Sequence, residues 1–564
     1  MRGGTGAPRD AESAEKAPIR HAARPLRDSA RPKDGGATLW TQRPTKMRRV
    51  VTNSPKAAHR PEPGATPAPR SGLDRYFDIT KRGSTVGQEV RGGLVTFFAM
   101  AYIIALNPLI IGTTADKDGN LISGAPMFLD EAMTQVDSAA VGASIGMVAA
   151  ATALIAGVMT ILMGVIGRYP MGLATGLGLN ALVAYTLAPQ MTWPQAMGLV
   201  VWEGILIAIL VLTGFRTAVF RAVPKTLRTA ISVGIGLFIA FVGLVNAGVV
   251  RSTNTPPVEL GIMGSLKGWP IAIFVLSFAL LIALHVLKIK GAMLISIITG
   301  TVLAVIIEAV GHIGPHVGDD NVTGWALNVP ALSSFSLPDL SLLGKVDLFG
   351  AFFVDGRFSP TTFIALLVLV FSLLLADFFD TMGTVVAVGS EANLLDKQGL
   401  PPRTTEILLV DSLGAVAGGL GSVSSNTCYV ESTAGVGEGA RTGLSAVVTG
   451  AAFLVAVFLS PLINMVPSEA ASPVLVFVGF LMISQVVDVD WTKPEYGIPA
   501  FLTIIMMPFA YSITVGIGVG FLTYVFIRLI KGEAKQIHSL MYVVAAMFVV
   551  YFAQGILLDA LRGS

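Results

Sequence analysis

Two stretches decide the fold: Met171–Tyr185, MGLATGLGLNALVAY, and Thr427–Gly443, TCYVESTAGVGEGARTG. Each lies among long apolar segments, yet each is short for a full span, which needs about 20 residues. Both carry glycines that permit non-helical backbone. Unwound backbone is tolerated at membrane depth only where protein buries it or water lines it. Paired short, Gly-interrupted segments are the best sequence pointer to a transporter's binding site. There a half-helix N-terminus offers free N–H groups and partial positive charge to a ligand. Small residues also serve plain close packing of helices. Asn180 in the first stretch and Glu431 in the second favour the site reading.

The surroundings fit a membrane protein. The 564 residues are 53% hydrophobic and only 13% charged, whereas soluble domains carry about 25% charged residues. Apolar runs recur from about residue 88 without the alternation of a barrel strand, so the class is all-α and polytopic, embedded in the lipid bilayer. The single cysteine, Cys428, excludes an intramolecular disulfide and a multi-cysteine metal site. The histidines form no close ligand pair, and no H-E-x-x-H, Walker A or G-x-S-x-G motif occurs. An enzyme, an ATP-driven pump, a metal, another cofactor and a nucleic-acid partner are therefore not expected.

Residues 1–70 hold 15 Lys/Arg against 6 Asp/Glu and almost no apolar periodicity, and read as a disordered basic tail. It is either an anchor for anionic lipid or a segment without a role. Seven spans are expected in 71–312 and seven in 359–531, separated by a polar extracellular loop at 313–358. Residues 532–564 hold a last apolar stretch, 539–558, which either spans or lies in the interface, and a tail. An odd number of spans per half inverts the second half relative to the first. Lys288 and Lys290, with Arg216, Arg221, Lys225 and Arg228, fall inside if the N-terminus is cytoplasmic, as the positive-inside rule requires.

The second half carries acids inside apolar runs: Asp377 and Asp380 in DFFDTMGT, Asp411 in LLVDSLG and Glu431 at the break, with Glu203 in the first half. An Asp at mid-helix costs about 2.5–3.5 kcal/mol on insertion scales, so each needs a cavity, a partner or a pathway. Asp377 and Asp380, three apart, share roughly one helix face. Mutual repulsion and burial disfavour charge on both, which is the behaviour of a proton-coupled carrier. The residues leave open whether both or only Asp380 reach the site. For Asp411 and Glu203 a structural role is favoured over support of the site or proton relay. Phe97, Phe98, Tyr102, Phe378, Phe379 and Tyr429 offer faces for stacking a flat ligand, or pack as core. Carboxylates and an amide beside aromatics suit a planar ligand edged with N–H and C=O groups, which a nucleobase provides.

From about residue 74 to 558 the chain resembles the AzgA-like branch of the nucleobase–cation symporters. The resemblance rests on Ile79–Thr85, on TFFAMAYIIALNP (96–108), on GLATGLGLNA (172–181), and on DFFDTMGT (377–384). It rests also on LLVDSLGAVAGGLG (408–421) and YVESTAGVGEGARTGL (429–444). It implies a 14-helix, inverted seven-plus-seven fold with core and gate domains and broken helices 3 and 10. It implies a secondary transporter importing adenine, guanine and hypoxanthine across the cytoplasmic membrane. The implied coupling ion is H⁺, with Na⁺ left open, and the implied assembly is a homodimer. Asp380 and Glu431 match the family's base-gripping acids and Asn180 a contact from segment 3; Tyr429 and Thr433, beside Glu431, are further candidate substrate contacts. Asp380, Glu431, Asp377 and Asp411 are the candidates for proton coupling. A xanthine or uracil carrier, or an anion carrier on the same fold, is the alternative. Where relatives carry Glu, Asp380 has a shorter arm, which leaves room for a bicyclic base.

Overall fold

The computed structural model describes residues 71–562 except 131–134, 214–222, 253–256, 318–319, 332–336, 355–356, 359 and 397–399. The expected basic tail and the loop arginines Arg216 and Arg221 lie outside the described residues. The first repeat begins with α1 (Val86–Met100), α2 (Ile103–Ile111) and α3 (Ser138–Leu162). Strand β1 (Leu173–Thr175) leads into α4 (Leu177–Leu182), followed by α5 (Trp193–Leu212), α6 (Lys225–Asn246), α7 (Trp269–Val286) and α8 (Ala292–Gly311). The second repeat holds α9 (Pro360–Glu391), α10 (Thr404–Leu420), β2 (Asn426–Cys428), α11 (Ser432–Gly437) and α12 (Gly443–Ala456). It closes with α13 (Ser468–Ile483), α14 (Pro494–Phe509) and α15 (Ile513–Ile530).

Helices satisfy their own backbone in lipid, which is why the apolar runs fold this way. Among the described residues, 10 helices are long and apolar enough to cross a membrane, α1 and α2 counting as one. The shorter α10 and α14, with the two broken segments, complete two sets of seven. Local signals fix the ends: Thr85 accepts from the Gln88 N–H at the start of α1, and Asp137 from Ala139 and Ala140 at the start of α3.

Packing sorts the helices into two bundles. α1, α2, α3, α5, α9, α10 and α12 surround the broken segments as a core, while α6, α7, α8, α13, α14 and α15 pack together as a gate. The two gate helices α6 and α13 touch at facing glycines: a Cβ on Gly479 would lie 2.5 Å from the Gly236 carbonyl oxygen and 2.7 Å from Ala240 Cβ. Outer gate helices leave Leu276, Val302, Ile306 and Val310 exposed, the surface that lipid covers. An ion pair crosses between the bundles at one end: Lys290, in the α7–α8 turn, meets Glu438 beyond α11, which also takes Arg91 Nε of α1 at 3.0 Å. The last helix, α16 (Ser539–Arg562), packs on α9 and α15.

The loop between the repeats is tied to the gate. Trp325 Nε1 donates to Glu308 Oε2 at 2.7 Å, and the Ala326 N–H to Glu469 Oε1 at 2.9 Å. The entry stretch Ile79–Thr85 ties core ends: Arg82 Nη1 donates to the carbonyls of Arg168 at 2.9 Å and Arg441 at 3.0 Å.

Candidate functional site

The site is organised by a ribbon of two short strands, one from each repeat. β1 and β2 pair antiparallel, Leu173 opposite Cys428, Ala174 opposite Thr427 and Thr175 opposite Asn426. Each strand supplies the partners that the other's backbone needs at membrane depth. Gly418 on α10 makes room: a Cβ there would sit 1.9 Å from the Ser424 carbonyl oxygen. Beyond β2 the chain stays fastened to the first repeat. The Tyr429 N–H donates to the Gly172 carbonyl at 3.0 Å, and its hydroxyl to the Thr175 carbonyl at 2.6 Å. The Gly172 N–H in turn donates to Ser432 Oγ at 3.0 Å.

This fastening fixes Glu431 just ahead of α11, half-buried. Tyr102, in the two-residue break between α1 and α2, donates its hydroxyl to Glu431 Oε1 at 2.5 Å. Such a bond to a carboxylate is a strong, charge-assisted one. Asp380 projects from the middle of α9 and is exposed, as are Gly383 and Ala387 below it on the same stripe. A Cβ on Gly383 would meet nothing within 4 Å. Asp380 lies within electrostatic reach of Glu431, Tyr102 and Tyr429. Asp380 and Glu431, an acid from each of two core elements, therefore lie within electrostatic reach of one another.

Asp377 does not join them. It is fully buried, whereas Asp380 is exposed. Three residues along a helix leave a 60° offset, and that offset turns Asp377 toward Asp411 of α10 while Asp380 stays exposed. Asp377 belongs to a second, dry group. Thr381 Oγ1 lies 3.5 Å from Asp377 Oδ1, 2.9 Å from Asp411 Oδ2 and 2.6 Å from Thr427 Oγ1. Asp411 Oδ1 accepts the Cys428 N–H at 3.1 Å, so this acid also holds β2 in place. Cys428 itself is buried and forms no disulfide. Glu203 on α5 is fully buried and faces Asp411. Its neighbour Gly204 lets the helices close: a Cβ there would lie 2.6 Å from the Val416 N atom of α10.

Other expected contacts are engaged locally. Asn180 is fully buried, its Nδ2 donating to Thr175 Oγ1 at 3.2 Å; it makes no hydrogen bond to Asp380 or Glu431. Its Oδ1 has no partner. Thr433 spends its hydroxyl on the Val430 carbonyl at 2.8 Å. Phe97 packs edge-on against Phe453 of α12, with ring centroids 5.1 Å apart, and Phe378 is buried. The side chain of Phe379 lies outside the described residues. Tyr102 meets the site as a hydrogen-bond donor rather than a stacking face, and Thr381 and Thr427, which no motif marks, join the buried acids. A hydroxyl four residues from a buried acid, as Thr381 is from Asp377, was the available signal.

The Permease family profile (Xan_ur_permease) matches residues 132–521. The guanine/hypoxanthine permease PbuG of Bacillus subtilis is 35% identical over 483 residues, 85% of this chain and 99% of that protein. The adenine permease AdeP of Escherichia coli is 34% identical over 480 residues, 85% of this chain and 95% of that protein. Among solved structures, the transmembrane domain of the cyanobacterial bicarbonate transporter BicA superposes with a TM-score of 0.52 at 16% identity. That match covers 77% of this chain and 96% of that one. At that identity it speaks to the fold alone, the inverted seven-plus-seven repeat. Family match, relatives and architecture together make this chain a multi-pass transporter, not an enzyme, that belongs to the permease family alongside the guanine/hypoxanthine and adenine permeases.

Proposed function

We propose that the protein imports purine nucleobases across the plasma membrane by proton symport, with its N-terminus in the cytoplasm. The observation that carries this reading is the pair of acids within electrostatic reach of one another, Asp380 exposed on α9 and Glu431 held by Tyr102. Carboxylates accept from the N–H edge of a base and, when protonated, donate to its carbonyl or ring nitrogen. The names of the relatives supply the purine class. An inorganic anion would meet two acids there, which disfavours the anion-carrier reading.

In this mechanism the base binds from outside between Asp380 and Glu431, close to the β1–β2 ribbon and Tyr429. Protonation of the acids lowers the cost of occluding them. The core then moves against the gate and opens the cavity inward. Asp377 and Asp411 take part in proton coupling rather than in base contact. Two copies pair through their gate bundles.

Uptake of labelled adenine, guanine and hypoxanthine into cells lacking purine carriers tests the proposal, with and without a protonophore. Saturable uptake competed by unlabelled purines and collapsed by the protonophore is expected. Competition by uracil or xanthine alone would point to the alternative base class, and accumulation that survives the protonophore would remove proton coupling.

A further inference from the structure

Two of the buried acids near Asp380, Glu203 and Asp377, have carboxylate oxygens without a hydrogen-bond partner of normal geometry. Glu203, Asp411 and Asp377 come from three different helices, α5, α10 and α9, and all are buried. Neither oxygen of Glu203 has a hydrogen-bond partner, and neither has Asp377 Oδ2. The Ser425 hydroxyl, also fully buried and without a hydrogen bond of normal geometry, is aimed at Glu203. The titratable groups in reach are Glu203 from α5, Asp411 from α10, Asp377 and Asp380 from α9, and Cys428 from β2. None of these is a cation, and among the described residues no group of three or more His, Cys, Asp or Glu is arranged to hold a metal ion. Buried carboxylates without a cation are costly to charge together, so such a group shares protons among its acids and carries fewer charges than carboxyls.

We infer that Glu203, with Asp411, Thr381 and Asp377, forms a proton store behind the substrate cavity, in which Glu203 is a coupling residue that never touches the base. The inference rests on the proposed proton-coupled purine transport and deepens it by naming where the proton waits. Thr381 is the exchange point. When protonated Asp377 donates to Thr381 Oγ1, the hydroxyl proton of Thr381 passes to Asp411 Oδ2. One O–H bond forms at Thr381 as one breaks, and the negative charge moves from Asp411 to Asp377. Asp377 sits three residues before Asp380, so the charge arriving there is felt at Asp380. Glu203 and Ser425 terminate the store beside Asp411.

The test uses the full chain purified into liposomes, with labelled hypoxanthine as the probe. Two assays run side by side: accumulation driven by an imposed proton gradient, and exchange counterflow at equal pH on both sides. Glu203→Gln, a fixed mimic of the protonated acid, should cut gradient-driven accumulation about tenfold, within the range of coupling between sites. Exchange should stay near the level of the unaltered protein. Thr381→Val should give the same split, and Thr381→Ser should restore accumulation. If Glu203→Gln does not fold, judged by size-exclusion profile, the two Thr381 variants carry the test. Unaltered accumulation in Glu203→Gln and Thr381→Val would overturn the inference. So would an equal loss of accumulation and exchange in well-folded variants, which marks a structural role, or accumulation driven by a sodium gradient alone. An unaltered protein without any purine exchange would instead defeat the purine reading, and the inference with it.

Discussion

Tyr102 and Glu431, from opposite repeats, are joined by a 2.5 Å hydrogen bond. The hydroxyl holds the carboxylate in one orientation. A hydrogen bond to a charged group contributes about 1.5–3 kcal/mol. Tyr102→Phe keeps the ring and loses the bond. Its KM for purine uptake should rise by about tenfold or more, with surface expression unchanged. An unchanged KM in radiolabel uptake would show that Glu431 is oriented by other means.

Glu431→Gln and Asp380→Asn keep the side-chain volume but lose a chargeable acceptor. Each should abolish accumulation while the protein still reaches the membrane, as checked by uptake and surface labelling. Normal transport in both would remove these acids from the site.

Asp380→Glu reaches one methylene further into the cavity. Adenine and guanine uptake should fall more than uptake of a single-ring base. Competition curves for purines and uracil, compared between the two proteins, measure the shift. A proportional loss for all bases would mean that the length of this arm does not select ring size.

The bridge from Lys290 to Glu438 fastens gate to core at one end. The Lys290 hydrogen bond and charge hold the Glu438 carboxyl below the usual carboxylate range. A lowered acid contributes its stabilisation above the ordinary range and loses it only as pH falls through the lowered value. The bridge should therefore be insensitive to pH between roughly 6 and 8 and fail only in strong acid. Glu438→Gln should raise the alkylation rate of a cysteine placed at the exposed Val430 beside Glu431, Val430→Cys, by about two- to fivefold. Equal rates with and without the bridge would count against its role as a latch.

Gly479→Ala places a methyl 2.5 Å from the Gly236 carbonyl oxygen. Overpacking of this kind costs about 1–3 kcal/mol. The apparent melting temperature in detergent should drop by several degrees, and transport should fall with it. A melting curve matching the unaltered protein would show that α6 and α13 separate freely.

Much of this was legible before any coordinates. Apolar runs with few charges gave the spans, because a bilayer demands them. The glycines of 172–178 and the Gly435–Gly439 region marked the breaks, because only such backbone departs from helix there. The division of the acids was not legible. Asp377 and Asp380 differ by 60° of helix, and which one meets a cavity depends on where α10 packs. Nor could spacing reveal that Tyr102 reaches Glu431 from a different repeat, since that bond exists only after the two halves interlock. Asn180 was read as facing the acids because of its place in the break; the fold turns its amide to Thr175.

The two-strand ribbon bears on how the protein is made. Tyr429 and Thr175 meet across 254 residues, so β1 emerges from the ribosome long before the strand that completes it. Until then its backbone groups stand unpaired at membrane depth, a state that lipid penalises. The first repeat thus enters the bilayer as half of a clasp. It must be sheltered by the insertion machinery, or kept near the interface, until the second repeat is synthesised and closes it.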